Sequence, residues 1–297
     1  MLRALRPPLL LSVLLLAACQ GGSPAPEAPV APPAAEAGPL RMMSFNLRYG
    51  TADDGEDRWE LRRGFALDVV AGFGPEVLAA QEVLDFQMDE LAARFPQLRP
   101  LGQHREGGRR GEFSGLLVDE RRLEVRDWGE LWLSPTPERV GSRGWDAALP
   151  RMAVWALLAD RAAPGSGPFL VCGTHFDHRG AEARLRSAEL IGARMAALSA
   201  EHRAPVVVMG DLNAGEDSPP LAALRAAGLR DSFRDLHPEA TEVGTFSAFR
   251  GVTDGAKIDH LLVGEGWRVL AADILRPRRD GRCPSDHEPV VAVLARG

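Results

Sequence analysis

The stretch Pro205 to Ala214, P-V-V-V-M-G-D-L-N-A, constrains this chain more than any other. Four apolar residues, three of them β-branched valines, read as a buried strand that Gly210 turns out of the sheet, with Asp211 and Asn213 just where the strand ends. G-D-x-N also makes ordinary Asx turns, so the segment takes its weight from recurrence. Asn46 follows the apolar run Leu40 to Phe45, Glu82 follows Glu76 to Ala80, His175 follows Phe169 to Gly173, and Asp286 with His287 precedes Val290 to Leu294. Several separate strands that each stop on an acid, an amide or an imidazole imply one shared site.

The 297 residues carry 35 basic and 41 acidic side chains, a net charge of −6, and Lys257 is the one lysine. An acidic chain does not draw in polyanions such as duplex DNA over a distance, although a local arginine cluster still holds a phosphate. Arg3 and Arg6 precede an apolar run from Leu9 to Ala18, the pattern of an export signal over residues 1–18 and too short to span a bilayer. The run ends in Leu16-Ala17-Ala18-Cys19, which resembles the lipobox of bacterial lipoproteins, with Cys19 as the lipidated residue. A plain secretory signal is the alternative. Residues 19–39, rich in Pro and Ala, then read as a tether, and the expectation is an exported, membrane-anchored lipoprotein, periplasmic or at the cell surface.

Residues 40–297 show no repeat and no break in composition, which argues for one domain. The spacing predicts a helix over 58–73, capped by Asp57 and burying Leu61, Phe65, Val69 and Phe73, a second from Leu84 to Phe95, a long one over 181–200, and a short one from Ser218 to Gly228. Further strands are expected at Phe113 to Val118, Trp128 to Leu133, Met152 to Ala159, Ile258 to Val263 and Trp267 to Ala271, the first two antiparallel. Cys172 and Cys283 are expected as two separate thiols, with a bridge between them as the alternative.

Carboxylate and amide oxygens suit a hard cation such as Mg²⁺, with Mn²⁺ a plausible substitute; only the His175-x-x-His178 pair hints at zinc. The chemistry these groups suit is metal-assisted attack on phosphorus.

Six short motifs in fixed order carry a resemblance: S-F-N at 44–46, Q-E-V at 81–83, T-H-F-D-H at 174–178, G-D-L-N at 210–213, I-D-H at 258–260 and S-D-H at 285–287. Together they make the chain similar to the endonuclease/exonuclease/phosphatase superfamily across essentially all of 40–297. The resemblance implies an α/β fold, a two-sheet β-sandwich flanked by helices in the four-layer, deoxyribonuclease I-like order. It implies metal ligation by Asn46, Glu82 and Asp286. It also implies a water-activating Asp211 helped by Asn213, phosphate donors His175 and His287, and Asp259 holding the tautomer of His287. Loop residues Arg48, Arg105, His178, Trp145 and Asp146 are candidates for substrate contact, and several arginines (Arg109, Arg110, Arg143 and Arg179 among them) would suit a compact substrate with more than one phosphate. The mid-chain tyrosine of DNA-repair members has no counterpart, since Tyr49 stands alone and too early. Nor is there a hairpin of the kind secreted sphingomyelinases insert into membranes. The expectation is therefore a monomeric hydrolase of a small organophosphate outside the cytoplasm. Alternatives are an extracellular nuclease and a catalytically inactive module that binds a phosphorylated ligand.

Overall fold

The valine run is buried along its whole length, and its alternation shows why. Val207 and Met209 turn into an apolar layer shared by two sheets, while Val206 and Val208 turn outward beneath helices. A strand covered on both faces has no use for polar alternates, so it reads as an unbroken apolar segment.

The computed structural model describes residues 38–297. The expected signal, Cys19 and all but the end of the expected tether lie outside the described residues. In chain order the elements are β1 (Leu40–Asn46), α1 (Trp59–Phe73), β2 (Val77–Val83), α2 (Asp85–Arg94), β3 (Leu98–Leu101), β4 (Phe113–Asp119), β5 (Leu123–Trp132), β6 (Met152–Asp160), β7 (Phe169–His175), α3 (Ala181–His202), β8 (Val206–Asp211), α4 (Pro219–Ala226), β9 (Arg230–Asp231), α5 (Ser232–Leu236), β10 (Asp259–Val263), β11 (Trp267–Ile274) and β12 (Val290–Arg296). One six-stranded sheet runs β11-β12-β1-β2-β4-β3 and the other β5-β6-β7-β8-β10-β9. The inner faces meet through residues such as Met42, Ala79 and Leu116 on one side and Val154, Val171, Val207 and Leu261 on the other. Outside, α1 and α2 cover the first sheet and α3 and α4 the second, giving four layers, α/β/β/α.

Each sheet contains one parallel pair, β1 with β2 and β7 with β8, joined through α1 and α3 respectively. The carboxyl ends of these four strands carry Asn46, Glu82, His175 and Asp211. The β2–β4 ladder shifts register between Ala80 and Val83, and Glu82 sits inside that irregularity at φ 59. A glutamate held in left-handed backbone costs energy, and here the kink turns its carboxylate out of the pleat.

Several expectations need correction. Asp57 ends a short 3₁₀ turn and does not cap α1, whose N-cap is Arg58 with no side-chain bond. The buried face of α1 is Trp59, Arg62, Ala66, Leu67 and Val70, whereas Leu61 is exposed. The cause is Arg62, whose guanidinium reaches back to four loop carbonyls and fixes the helix rotation; Phe65 and Phe73 find cover under Arg279 and Arg41 instead. β4 and β5 are both antiparallel to their neighbours, as expected, and lie in different sheets. Both described cysteines, Cys172 and Cys283, are free and buried.

Candidate active site

Pairing between strands does most of the assembly. His175 lies beside Asp211 in the parallel β7–β8 ladder, and Asp259 faces Asp211 across the antiparallel β8–β10 ladder. Gly210 is required for this closeness, because a Cβ there would come 2.1 Å from the backbone oxygen of Thr174. The other sheet reaches the same point through Asn46, whose Nδ2 donates to Glu82 Oε1 and to Asp211 Oδ2, both at 3.1 Å. Ser285 Oγ donates to the Asn46 carbonyl at 2.7 Å and so pins the Ser285–His287 loop to the end of β1.

Asp211 is therefore central. Its Oδ1 accepts from Asn213 N at 2.9 Å, an Asx turn, while Oδ2 lies 3.3 Å from His175 Nε2 and 3.8 Å from His287 Nε2. Burial, reinforced by the neighbouring Asp259 carboxylate, pushes its pKa up to about 7 in spite of His287.

The two histidines differ in charge for reasons the geometry makes plain. Arg151 NH1 donates to His175 Nδ1 at 2.9 Å, and a guanidinium has no acceptor, so Nδ1 is bare and Nε2 carries the proton. Burial and the Arg151 charge both hold His175 well below the usual imidazole range, which makes it a neutral donor. His287 loses stability as a cation through burial, but Asp259, 2.8 Å from Nδ1, and Asp211 more than restore it and hold its pKa well above the usual range. His287 is thus an imidazolium whose Nε2–H points at the centre of the site, and Asp259 sets that orientation.

A cavity of about 590 Å³ opens over this centre. Arg48, Glu82, Arg105, His175, His178, Asp211, Asn213, Asp286 and His287 line it, as the sequence leads one to expect. Trp145 and Asp146 do not. Asp146 instead accepts from the backbone N–H groups of Glu182 and Ala183 at the start of α3, where the unpaired amides of the helix end favour a carboxylate. Trp145, half-buried at φ 53, holds the turn that delivers Asp146. Of the loop arginines expected to gather phosphates, Arg48 and Arg105 line the cavity, whereas Arg179 does not and the others are engaged elsewhere: Arg109 pairs with Asp85 and Asp89, Arg110 donates to the Glu106 carbonyl, and Arg143 to that of Ala148.

Sequence reasoning missed Tyr49, Glu112, Leu149, Arg151, Phe246 and Ile258 in the cavity wall. A charged residue directly before an apolar run, as Arg151 stands before β6, was the one available signal. His175 and His178 both turn Nδ1 toward Arg151, at 2.9 and 3.3 Å, so the pair that hinted at zinc shares a cation of the chain itself.

The donor set fits a hard divalent ion. Glu82 and Asp211 offer carboxylate oxygens within 4.8 Å of one another, and among the described residues the buried Asp286 carboxylate forms an ion pair with Arg48 alone, 3.6 Å away. Oxygen-rich, carboxylate-dominated surroundings suit Mg²⁺ or Mn²⁺ better than a thiophilic metal. Asn46 departs from its expected place among the ligands: its Oδ1 accepts from Arg48 N at 2.9 Å and its NH₂ group faces the carboxylates, so it offers an oxygen only if the amide turns over.

Residues 174–287, which begin at the end of β7 and close on His287, match the Endonuclease/Exonuclease/phosphatase family. Among solved structures, an endonuclease/exonuclease/phosphatase from Bacteroides vulgatus is 29% identical with a TM-score of 0.79, over 87% of this chain and 99% of that one. A mannosyl-6-phosphatase from Bacteroides thetaiotaomicron is 28% identical with a TM-score of 0.78, over 86% and 99%. A conserved protein of unknown function from Enterococcus faecalis is 30% identical with a TM-score of 0.77, over 87% and 100%. A search of curated proteins found no match. Sandwich, converging strand ends and sequence agreement together show that the chain belongs to the endonuclease/exonuclease/phosphatase family of hydrolases.

Proposed function

We propose that the protein is a divalent-cation-dependent phosphoesterase that acts as a monomer on a small phosphorylated molecule, a phosphomonoester of a sugar being the class suggested by one similar protein, the mannosyl-6-phosphatase. The observation that carries the reading is the burial of Asp211 between a neutral His175 and a cationic His287 at the floor of a cavity edged by Glu82 and Asp286. Held by Glu82 and Asp286, a Mg²⁺ or Mn²⁺ ion would supply neutralisation of charge on the phosphoryl group and the departing oxygen.

The chain's own groups account for the rest. Asp211, with Oδ1 occupied by Asn213 N, presents Oδ2 to take a proton from the attacking water, and a pKa near the working pH is what a general base needs. His175 Nε2–H and His287 Nε2–H are placed to donate to phosphoryl oxygens, the second with full positive charge, and the burial of both rings strengthens both bonds. Arg151 and Asp259 do not touch substrate in this scheme; each fixes the proton of one histidine.

Phosphate release from a panel of hexose phosphates, inositol phosphates, choline phospholipids and nucleic acids, with and without EDTA, tests the reading. Chelator-sensitive turnover of a phosphomonoester, lost in Asp211→Ala, is expected. Dominant cleavage of DNA or RNA would put the nuclease reading in its place, and binding without turnover would favour an inactive module. We also propose that residues 1–18 direct export and that Cys19 carries lipid. Membrane association that persists in Cys19→Ser would contradict the anchor.

A further inference from the structure

The cavity has a wall that the reaction scheme leaves unused. Glu112 lines it, just before β4, and is largely buried. Its Oε2 accepts from Arg105 NH1 at 2.7 Å and lies 3.8 Å from Arg151 NH1, while Oε1 accepts no hydrogen bond among the described residues. The support is rigid: Arg105 N donates to the Glu112 carbonyl at 2.9 Å, and Trp132 Nε1 donates to the Arg105 carbonyl at 2.7 Å. A buried carboxylate with one oxygen clamped by a guanidinium and the other facing a cavity is an acceptor waiting for a neutral donor.

Charge decides what kind of donor. Every arginine of the cavity already has a carboxylate beside it: Arg48 has Asp54 and Asp286, Arg105 has Glu112, and Arg151 lies between Glu112 and Asp177. Among the described residues, no arginine of the cavity lining is left without a carboxylate for a second phosphate, and an anionic group set against Glu112 would be repelled. Hydroxyl groups fit both requirements, since they donate to the open carboxylate oxygen and accept from the neighbouring guanidinium.

We propose that Glu112, clamped by Arg105, is the specificity-determining residue of the site and reads hydroxyl groups on the leaving side of a substrate that carries a single phosphate. The proposal rests on the phosphoesterase reading above.

The test compares a hexose 6-phosphate with cyclohexylmethyl phosphate, which keeps the ring and the primary phosphate ester but has no hydroxyl groups. The wild-type protein should prefer the hexose ester in kcat/KM. In Glu112→Gln the ratio of the two kcat/KM values should collapse by about 10- to 100-fold, the weight of a hydrogen bond to a charged group. A ratio unchanged in Glu112→Gln, whether both activities fall together or neither does, overturns the assignment and leaves the phosphoesterase reading standing. Failure of the wild type to hydrolyse either ester overturns the assignment, and the phosphoesterase reading is then judged by the wider panel of phosphate esters. Should Glu112→Gln not fold, as judged by circular dichroism, Glu112→Asp withdraws the carboxylate by one methylene and must show the same collapse of the ratio.

Discussion

Arg62 offers the most demanding test of how the scaffold holds the site. The residue is 4% exposed, has no carboxylate partner among the described residues, and stacks against Trp59 and Phe249 at 5.0 and 5.4 Å. Its guanidinium donates to the carbonyls of Asp57 (2.8 Å), Leu47 (2.8 Å), Pro284 (3.0 Å) and Arg48 (3.1 Å). Two of these, Leu47 and Arg48, follow Asn46 on the loop after β1, and Pro284 precedes the Ser285–His287 segment, so one side chain ties both halves of the site to α1. Burial lowers its pKa to about 10, a cost to the charged form on the order of 3 kcal/mol. Arg62→Met fills most of the volume but strips four carbonyls of a donor, at about 2 kcal/mol each. The gross loss of roughly 8 kcal/mol, less the desolvation relieved, leaves a net destabilisation of roughly 5 kcal/mol, a large part of a typical domain's stability. Urea unfolding of the wild type, Arg62→Met and Arg62→Lys measures it. Lysine should fall between the two, because one ammonium group reaches some of the carbonyls but not all. A loss below about 1 kcal/mol in Arg62→Met would refute the reasoning and mean that water satisfies those carbonyls as well as the guanidinium does.

Two further outcomes follow from the structure. Gly210→Ala places a methyl group against the Thr174 backbone oxygen and should cost roughly 1–3 kcal/mol by forcing β7 and β8 apart, with turnover falling as His175 and Asp211 separate; a variant that melts and turns over like the wild type would contradict this. Asp231 is held well below the usual carboxylate range because Lys257 and His260, at 2.6 and 2.8 Å, more than offset its burial. Its contribution to stability is therefore present above the unfolded-state pKa and is lost as the pH falls toward the folded one. The stability gap between the wild type and Asp231→Asn should narrow below about pH 4, and a gap that stays constant from pH 7 to pH 3 would refute it.

How far the sequence speaks depends on what kind of residue carries the information. Strands buried on both faces announce themselves, so Leu40–Asn46 and Val206–Asp211 could be read directly, together with the polar residues that end them. Motif order then implied the sandwich. Buried charge outside the motifs and the polar loops was not legible, because an arginine or glutamate between polar neighbours looks like solvated surface until its partners are known. Arg62, Glu112 and Arg151 all escaped for that reason, and Arg62 took the face of α1 with it. Asp146 misled in the opposite way: an acid in a loop near the site looked like a substrate contact, but a helix start 36 residues further on claims it. Short elements such as β3 and α5 hold too few residues to show a period.

The central claim is that Glu82 holds a divalent cation in the same cavity in which His287 acts on the phosphoryl group. Calorimetric titration of Mn²⁺ into the wild type, Glu82→Ala and His287→Ala tests it without recourse to turnover. Glu82→Ala should weaken binding by about 10-fold or more, a loss that even the outer partners of metal ligands produce, whereas His287→Ala should leave the affinity close to that of the wild type. Superimposable isotherms for the two variants would contradict the account.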